Sequence, residues 1–194
     1  MKVLFIDACM RPDNISRTKA LCNVFFDALK ERGDCEIETV PLRDMDLKPY
    51  TYDMVEARYE LLDKKAYDDP TFDLARQFSE ADRIVIAAPY WDLAFPAILK
   101  IYIEHIFVAG INFKGTEHGL EGLAKGEKAL FIQSSGAIVA EDDPEAMYLK
   151  HVMQVLGIPE FRRIGADGVD AQGADIEGIL AKASAELKEL AATW

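Results

Sequence analysis

Short apolar, β-branched runs alternate with helical patterns along the chain, and this alternation constrains the fold more than any other feature. Five strands are predicted: Val3 to Asp7, Glu36 to Val40, Arg83 to Ala88, Ala129 to Gln133 and Phe161 to Ala166. Near-continuous apolar runs mark strands covered on both faces, and strand–helix alternation predicts a parallel sheet between two helical layers. The chain therefore reads as an α/β protein of five βα units.

The intervening segments carry their own signals. Ala20, Leu21, Val24, Phe25, Ala28 and Leu29 form one stripe of a first helix that stops at Gly33. Asp142-Asp143-Pro144-Glu145 opens a later helix, with Asp142 and Glu145 expected to act as a capping-box-like pair, and Gly157 and Pro159 close it. Ile176, Ile179, Leu180, Ala183, Leu187 and Leu190 predict a final helix buried along one stripe. Pro41 to Asp69, rich in tyrosine and charge, reads as an excursion with a helix near Met54 to Lys64. The helix predicted over Pro96 to Val108 has only Lys100, Glu104 and His105 as polar side chains. Such a helix needs cover on two sides, and a partner subunit is the simplest second cover.

Length and charge bound the function. A chain of 194 residues, half of them hydrophobic, is expected to form one domain over 1–194. Its net charge of −12 argues against non-specific binding to nucleic acid or acidic membranes, so an anionic ligand would need a local basic site. Met1-Lys2 runs straight into a strand, and no apolar run reaches the roughly 18 residues of a membrane span, which predicts a cytoplasmic protein. Cys9, Cys22 and Cys35 match neither a disulfide framework nor a zinc pattern and read as reduced thiols. His105 and His151 lie in helical patterns without clustered ligands, so no metal is expected.

Three loops follow predicted strands at the carboxyl edge of the sheet, where open α/β proteins place ligands. The first, Ala8 to Thr18, leads into a helix whose opening turn carries Arg17 and Lys19. Cations are unfavourable at the positive end of a helix unless an anion binds among them. Arg11, Asn14, Ser16, Arg17 and Thr18 could replace the hydration of a phosphate; alternatively Asn14 or Ser16 caps the helix and the cations are solvated. No GxxxxGK[ST] and no GxGxxG occurs, so the hydroxyls would carry the task. The second loop, Ala88 to Pro96 (APYWDLAFP), offers Tyr90 and Trp91 to flank a flat ring, or else to pack a sheet edge or a subunit interface. The third, Gln133-Ser134-Ser135-Gly136-Ala137, adds hydroxyls and flexible backbone.

Together these positions resemble the flavodoxin-like FMN-dependent NAD(P)H dehydrogenase (quinone) and azoreductase family. The resemblance spans nearly the whole chain. It rests on the Arg11, Ser16 and Thr18 loop, residues 88–106 (APYWDLAFPAILKIYIEHI), 109–113, 119–123 and Ser134-Ser135-Gly136. It implies a three-layer sandwich with parallel strands in the order 2-1-3-4-5. It also implies FMN as cofactor, NAD(P)H as co-substrate, and a homodimer with its active sites at the interface. Carried over, Arg11, Ser16, Arg17 and Thr18 would hold the phosphate, Pro89, Tyr90, Trp91, Asp92 and Leu93 would contact the ring, and Ser134, Ser135 and Gly136 would complete the cradle. The chain departs from the commonest pattern at Asp92, where asparagine is frequent, and at Ala137, where a second glycine is frequent.

In that reading the flavin does the chemistry and no catalytic dyad is required. NAD(P)H and then a quinone-like or other electron-poor aromatic acceptor use one slot in a ping-pong cycle. Trp91 and a partner's copy of Phe113 are the candidate walls; His118 could donate a hydrogen bond to the acceptor, but a lone loop histidine is more often solvated, so it stands outside the catalytic set. Cys9 is either a small residue under the cofactor or a redox sensor. The rival is a flavodoxin-type carrier that passes single electrons without nicotinamide turnover. A third possibility is a flavin-free binding domain of the same fold.

Overall fold

The computed structural model describes residues 1–194. Five parallel strands, β1 (Lys2–Asp7), β2 (Glu36–Pro41), β3 (Arg83–Pro89), β6 (Lys128–Ser135) and β7 (Glu160–Asp167), form one sheet in the order β2-β1-β3-β6-β7. Counted along the chain, that is the expected order 2-1-3-4-5. The middles of the central strands, Val3 to Ile6, Ile84 to Ala88 and Ala129 to Ile132, are apolar because helices cover both faces. Val3, Phe5, Val85, Ala87, Leu130 and Ile132 point toward α1 (Arg17–Arg32) and α6 (Ile176–Thr193). Leu4, Ile6, Ile84, Ile86, Ala129 and Phe131 point the other way, toward α3 (Asp73–Glu80), α4 (Ala97–Ile106) and α5 (Pro144–Val155).

Several local expectations shift. The buried face of α1 is Thr18, Leu21, Cys22, Phe25, Phe26 and Leu29, while Ala20 is exposed, so the stripe is rotated toward the aromatic and thiol side chains. In α6 only Ala183, Leu187 and Ala191 are fully buried, and Ile176 lies at the exposed first turn. Asp143, not Asp142, caps α5. Pro144 occupies the first helical position, which moves the cap next to it, and the Asp143 carboxylate accepts the Glu145 N–H at 3.0 Å. The 41–69 excursion holds α2 (Tyr52–Asp63), close to the expected helix.

Two elements had no counterpart in the sequence reading. One is α3. The other is an antiparallel hairpin, β4 (Phe113–Thr116) with β5 (Gly119–Gly122), inserted between α4 and β6. Its second strand runs against the end of α5 so closely that a Cβ on Gly122 would stand 2.1 Å from the Gly157 nitrogen. Only glycine permits that backbone contact.

The cover over α4 is partly internal. Tyr50 stacks on His105 with ring centroids 4.5 Å apart, and the His105 Nε2 lies 3.0 Å from the Lys48 carbonyl oxygen. The excursion therefore supplies much of the second cover expected from a partner. No helix is long and apolar enough to cross a membrane.

Candidate functional site

The loops after β1, β3 and β6 converge because their strands are neighbours in the sheet. Between them lies a cavity of about 130 Å³ lined by Arg11, Ser16, Arg17 and Thr18 from the first loop, Pro89, Tyr90 and Trp91 from the second, and Ser134, Ser135 and Gly136 from the third. Its volume falls below the roughly 300–1,000 Å³ of sites that enclose a whole small molecule. It can enclose a compact group, with anything larger lying across its rim.

The first loop is shaped by local chemistry. Ile15 and Ser16 donate their N–H groups to the Pro12 carbonyl, making a tight approach to α1. The Ser16 hydroxyl caps the helix by accepting the Lys19 N–H at 3.2 Å. The N–H groups of Arg17, Thr18 and Gly136 meet no acceptor within the protein. The Thr18 and Ser134 hydroxyls are 2.7 Å apart. One proton joins them and the other is left for a guest.

The two cations of the first turn have separate fates. Lys19 pairs with Asp7 behind the loop, both side chains largely buried, and Asp7 also accepts the Cys9 N–H at 3.0 Å. Arg17 faces the cavity and pairs with Asp170 at 3.1 Å. Burial pushes the Cys9 thiol far above its ordinary range, with Asp7 adding to the shift, so Cys9 is a packed apolar residue rather than a reactive thiolate.

The second loop makes an abrupt turn. Trp91 and Ala94 exchange backbone hydrogen bonds of 2.6 and 2.9 Å, and the two corner residues, Asp92 and Leu93, have φ of 51° and 65°. That is a primed turn, which normally wants glycine at the second corner. Asp92 and Leu93 consequently project outward and do not line the cavity; Leu93 is 79% exposed. Tyr90 is held from both ends, its N–H donating to the Ser134 carbonyl at 3.0 Å and its hydroxyl to the Asp143 carboxylate at 2.9 Å. That bond raises the phenol's pKa and keeps it protonated.

Behind the third loop sits a buried polar network. Arg163 donates to the Gln133 side-chain oxygen at 2.9 and 2.7 Å and pairs with Asp167, while the Gln133 amide donates to Glu145 at 2.7 Å. Burial is the main cause that pushes the Glu145 carboxyl up to about 7, with Asp143 and Asp167 adding to it. Its other oxygen has no partner.

A family model described as flavodoxin-like fold matches residues 1–191. The chain belongs to this family. An FMN-dependent NADH:quinone oxidoreductase from Clostridium beijerinckii is 37% identical to this flavodoxin-like chain over 193 residues, 98% of each. FMN-dependent NADH:quinone oxidoreductase 2 from Clostridium acetobutylicum is 38% identical over 196 residues, again 98% of each. Among solved structures, an FMN-dependent NADH-azoreductase from Bacillus anthracis str. Ames Ancestor, in complex with FMN, is similar with a TM-score of 0.87 and 27% identity, covering 99% of this chain and 98% of that one. The azoreductase from Bacillus anthracis str. Sterne shares the fold at a TM-score of 0.89 and 24% identity over 100% of this chain and 99% of that one.

Within the flavodoxin-like frame, the hairpin residues Phe113 and His118 stand apart from this protomer's cavity. Phe113 packs on Phe107 in the hairpin, ring centroids 4.6 Å apart, and does not line the cavity of its own protomer. His118 is exposed at the hairpin tip. The cavity also includes Met10, Val169 and Asp170, which sequence reading missed. Val169 and Asp170 follow the last strand, and the rule that ligands sit beyond strand carboxyl ends pointed to that loop as well.

Proposed function

We propose that this chain is an FMN-dependent oxidoreductase that passes reducing equivalents from NADH to a quinone-like or other electron-poor aromatic acceptor. The observation that carries the reading is the convergence, in one cavity, of three unpaired backbone N–H groups, four serine and threonine hydroxyls and two arginines beside an aromatic loop. That donor set fits a phosphate, and the adjoining Pro89-Tyr90-Trp91 segment fits a flat ring lying outside it. Ser16, Thr18 and Ser134 with Arg11 and Arg17 would hold the phosphate, and Ser135 and Gly136 would complete the cradle. The Asp92–Leu93 turn sets the edge of the ring site through its backbone.

FMN, when bound, supplies the two-electron redox chemistry. The chain's residues bind and orient it and keep water from one side. Tyr90, pinned by Asp143, holds the loop against the sheet, and Trp91, 40% exposed at the cavity rim, is the wall against which a reactant stacks. No side chain is required as nucleophile or metal ligand. NADH as donor follows the names of the relatives, which also favour the enzyme over a single-electron carrier.

A homodimer in the cytoplasm, each protomer one FMN-binding domain, belongs to the same reading. A groove of about 580 Å³ between α4, α5 and the hairpin, lined by Tyr50, Ile103, Phe107, Leu120, Tyr148 and Val152 among others, is mainly apolar and suits a second copy. A partner would then bring Phe113 and the hairpin toward the slot.

The test is an anaerobic visible spectrum of FMN-reconstituted protein before and after NADH, followed by menadione. Bleaching by NADH and recovery with the quinone is the expected result. Bound flavin that NADH cannot bleach would favour the carrier, and absence of flavin binding would overturn both.

A further inference from the structure

A carboxylate stands where the proposed phosphate site needs cations. The loop after β7 is fastened to the third loop by three backbone bonds: Gly168 N–H to the Ala137 oxygen at 2.8 Å, Val169 to Ser135 at 3.1 Å and Asp170 to Gly136 at 3.2 Å. These bonds carry the Asp170 side chain over Gly136, where a Cβ would lie only 2.5 Å from the Asp170 Oδ2. The other oxygen, Oδ1, accepts from the Arg17 guanidinium at 3.1 Å. Both residues line the cavity with Ser16, Thr18 and Ser134.

The Arg17–Asp170 pair is built to exchange. Its side chains are 37% and 69% exposed, whereas those of Lys19 and Asp7 are 15% and 10% exposed. An exposed pair is weakly held and a buried one is not easily opened. Of the two cations in the first turn of α1, one is therefore committed and one is on loan.

We propose that Asp170 sets the affinity of this pocket by serving as Arg17's partner until a phosphate-bearing flavin replaces it. The proposal rests on reading the cavity as the FMN phosphate site. A phosphate monoester carries between one and two negative charges and takes two-pronged hydrogen bonds from guanidinium, so it competes well for Arg17. The displaced carboxylate remains tethered at the rim by its backbone bond to Gly136 and repels the phosphate. Without a ligand, the same carboxylate neutralises a cation that the helix N-terminus would otherwise repel. The pocket is kept in shape at the cost of weaker flavin retention.

The test uses the full chain stripped of flavin, titrated with FMN and separately with riboflavin, which lacks the phosphate, and followed by quenching of flavin fluorescence. In Asp170→Asn, and in Asp170→Ser as a second variant, FMN is expected to bind about tenfold tighter, the scale of a screened like-charge contact. Riboflavin affinity should not move. An unchanged or weaker FMN affinity in both variants, with the parent still preferring FMN to riboflavin, would overturn the role of Asp170 and leave the phosphate reading standing. A parent that binds FMN and riboflavin equally would overturn the phosphate reading and this proposal with it.

Discussion

The Thr18 hydroxyl on α1 and the Ser134 hydroxyl at the end of β6 lie 2.7 Å apart, joining two loops that are 116 positions apart in sequence. The pair has one proton to spare for a ligand oxygen. Thr18→Val keeps the shape and removes that donor. FMN affinity is expected to fall by about ten- to a hundredfold, the range of a hydrogen bond to a charged group, with riboflavin affinity little changed. Equal losses for both flavins, measured by fluorescence titration, would place the hydroxyl pair away from the phosphate.

Tyr90 and Asp143 connect the aromatic loop to the cap of α5. Tyr90→Phe removes the hydroxyl that pins the loop, while Asp143 still caps the helix. Thermal unfolding should shift little and flavin should dissociate faster in stopped-flow measurements. A large drop in Tm with unaltered flavin release would show that the bond serves α5 rather than the loop.

Leu93 holds φ at 65° with its side chain in solvent. An L-residue there bears strain of roughly 1–2 kcal/mol, and glycine relieves it while adding about 0.4–1 kcal/mol of unfolded-state entropy. Leu93→Gly should therefore leave stability unchanged or raise it by up to about 1.6 kcal/mol in urea unfolding. Clear destabilisation would mean that Leu93 makes contacts this structure does not contain.

Glu145 is buried, with its carboxyl raised to about 7 against about 4.3 in an unfolded chain. Between those values the native state keeps a proton that the unfolded state has released. Its contribution is complete below about pH 4.3, declines as pH rises, and levels off above pH 7, a loss of the order of 3 kcal/mol. Glu145→Gln should match the parent near pH 4 and exceed it in stability at pH 8. Parallel pH–stability curves would refute the buried-acid assignment.

Cys9 and Cys22 are buried under the first loop, both with thiols held protonated, whereas Cys35 is partly exposed. A chromogenic disulfide reagent should label one thiol per chain in the native protein and three after denaturation. Fast native labelling of Cys9 would restore the redox-sensor alternative.

Local periodicity was enough to read five strands, the α1 and α5 boundaries and the three loops, because burial on a strand or helix repeats over a few residues and leaves its mark in sequence. The APYWDLAFP segment was legible from composition instead, since two large aromatics directly after an apolar strand stand where a turn normally carries small residues. Partnerships across the sheet were not legible. Which carboxylate would take Arg17 and which would take Lys19 depends on the order β2-β1-β3-β6-β7, which sets the β7 loop beside the third loop and Asp7 behind the first. Glu145, expected to pair with Asp142 in a capping box, instead turns inward onto Gln133, with Pro144 at the first helical position and the cap at Asp143. The sequence thus determined the five sheet strands, the helices with clear caps or stripes and the chemistry of the loops by itself. Only the tertiary structure decided which charges neutralise one another, because a charge pair depends on distances of a few ångströms between residues far apart in sequence.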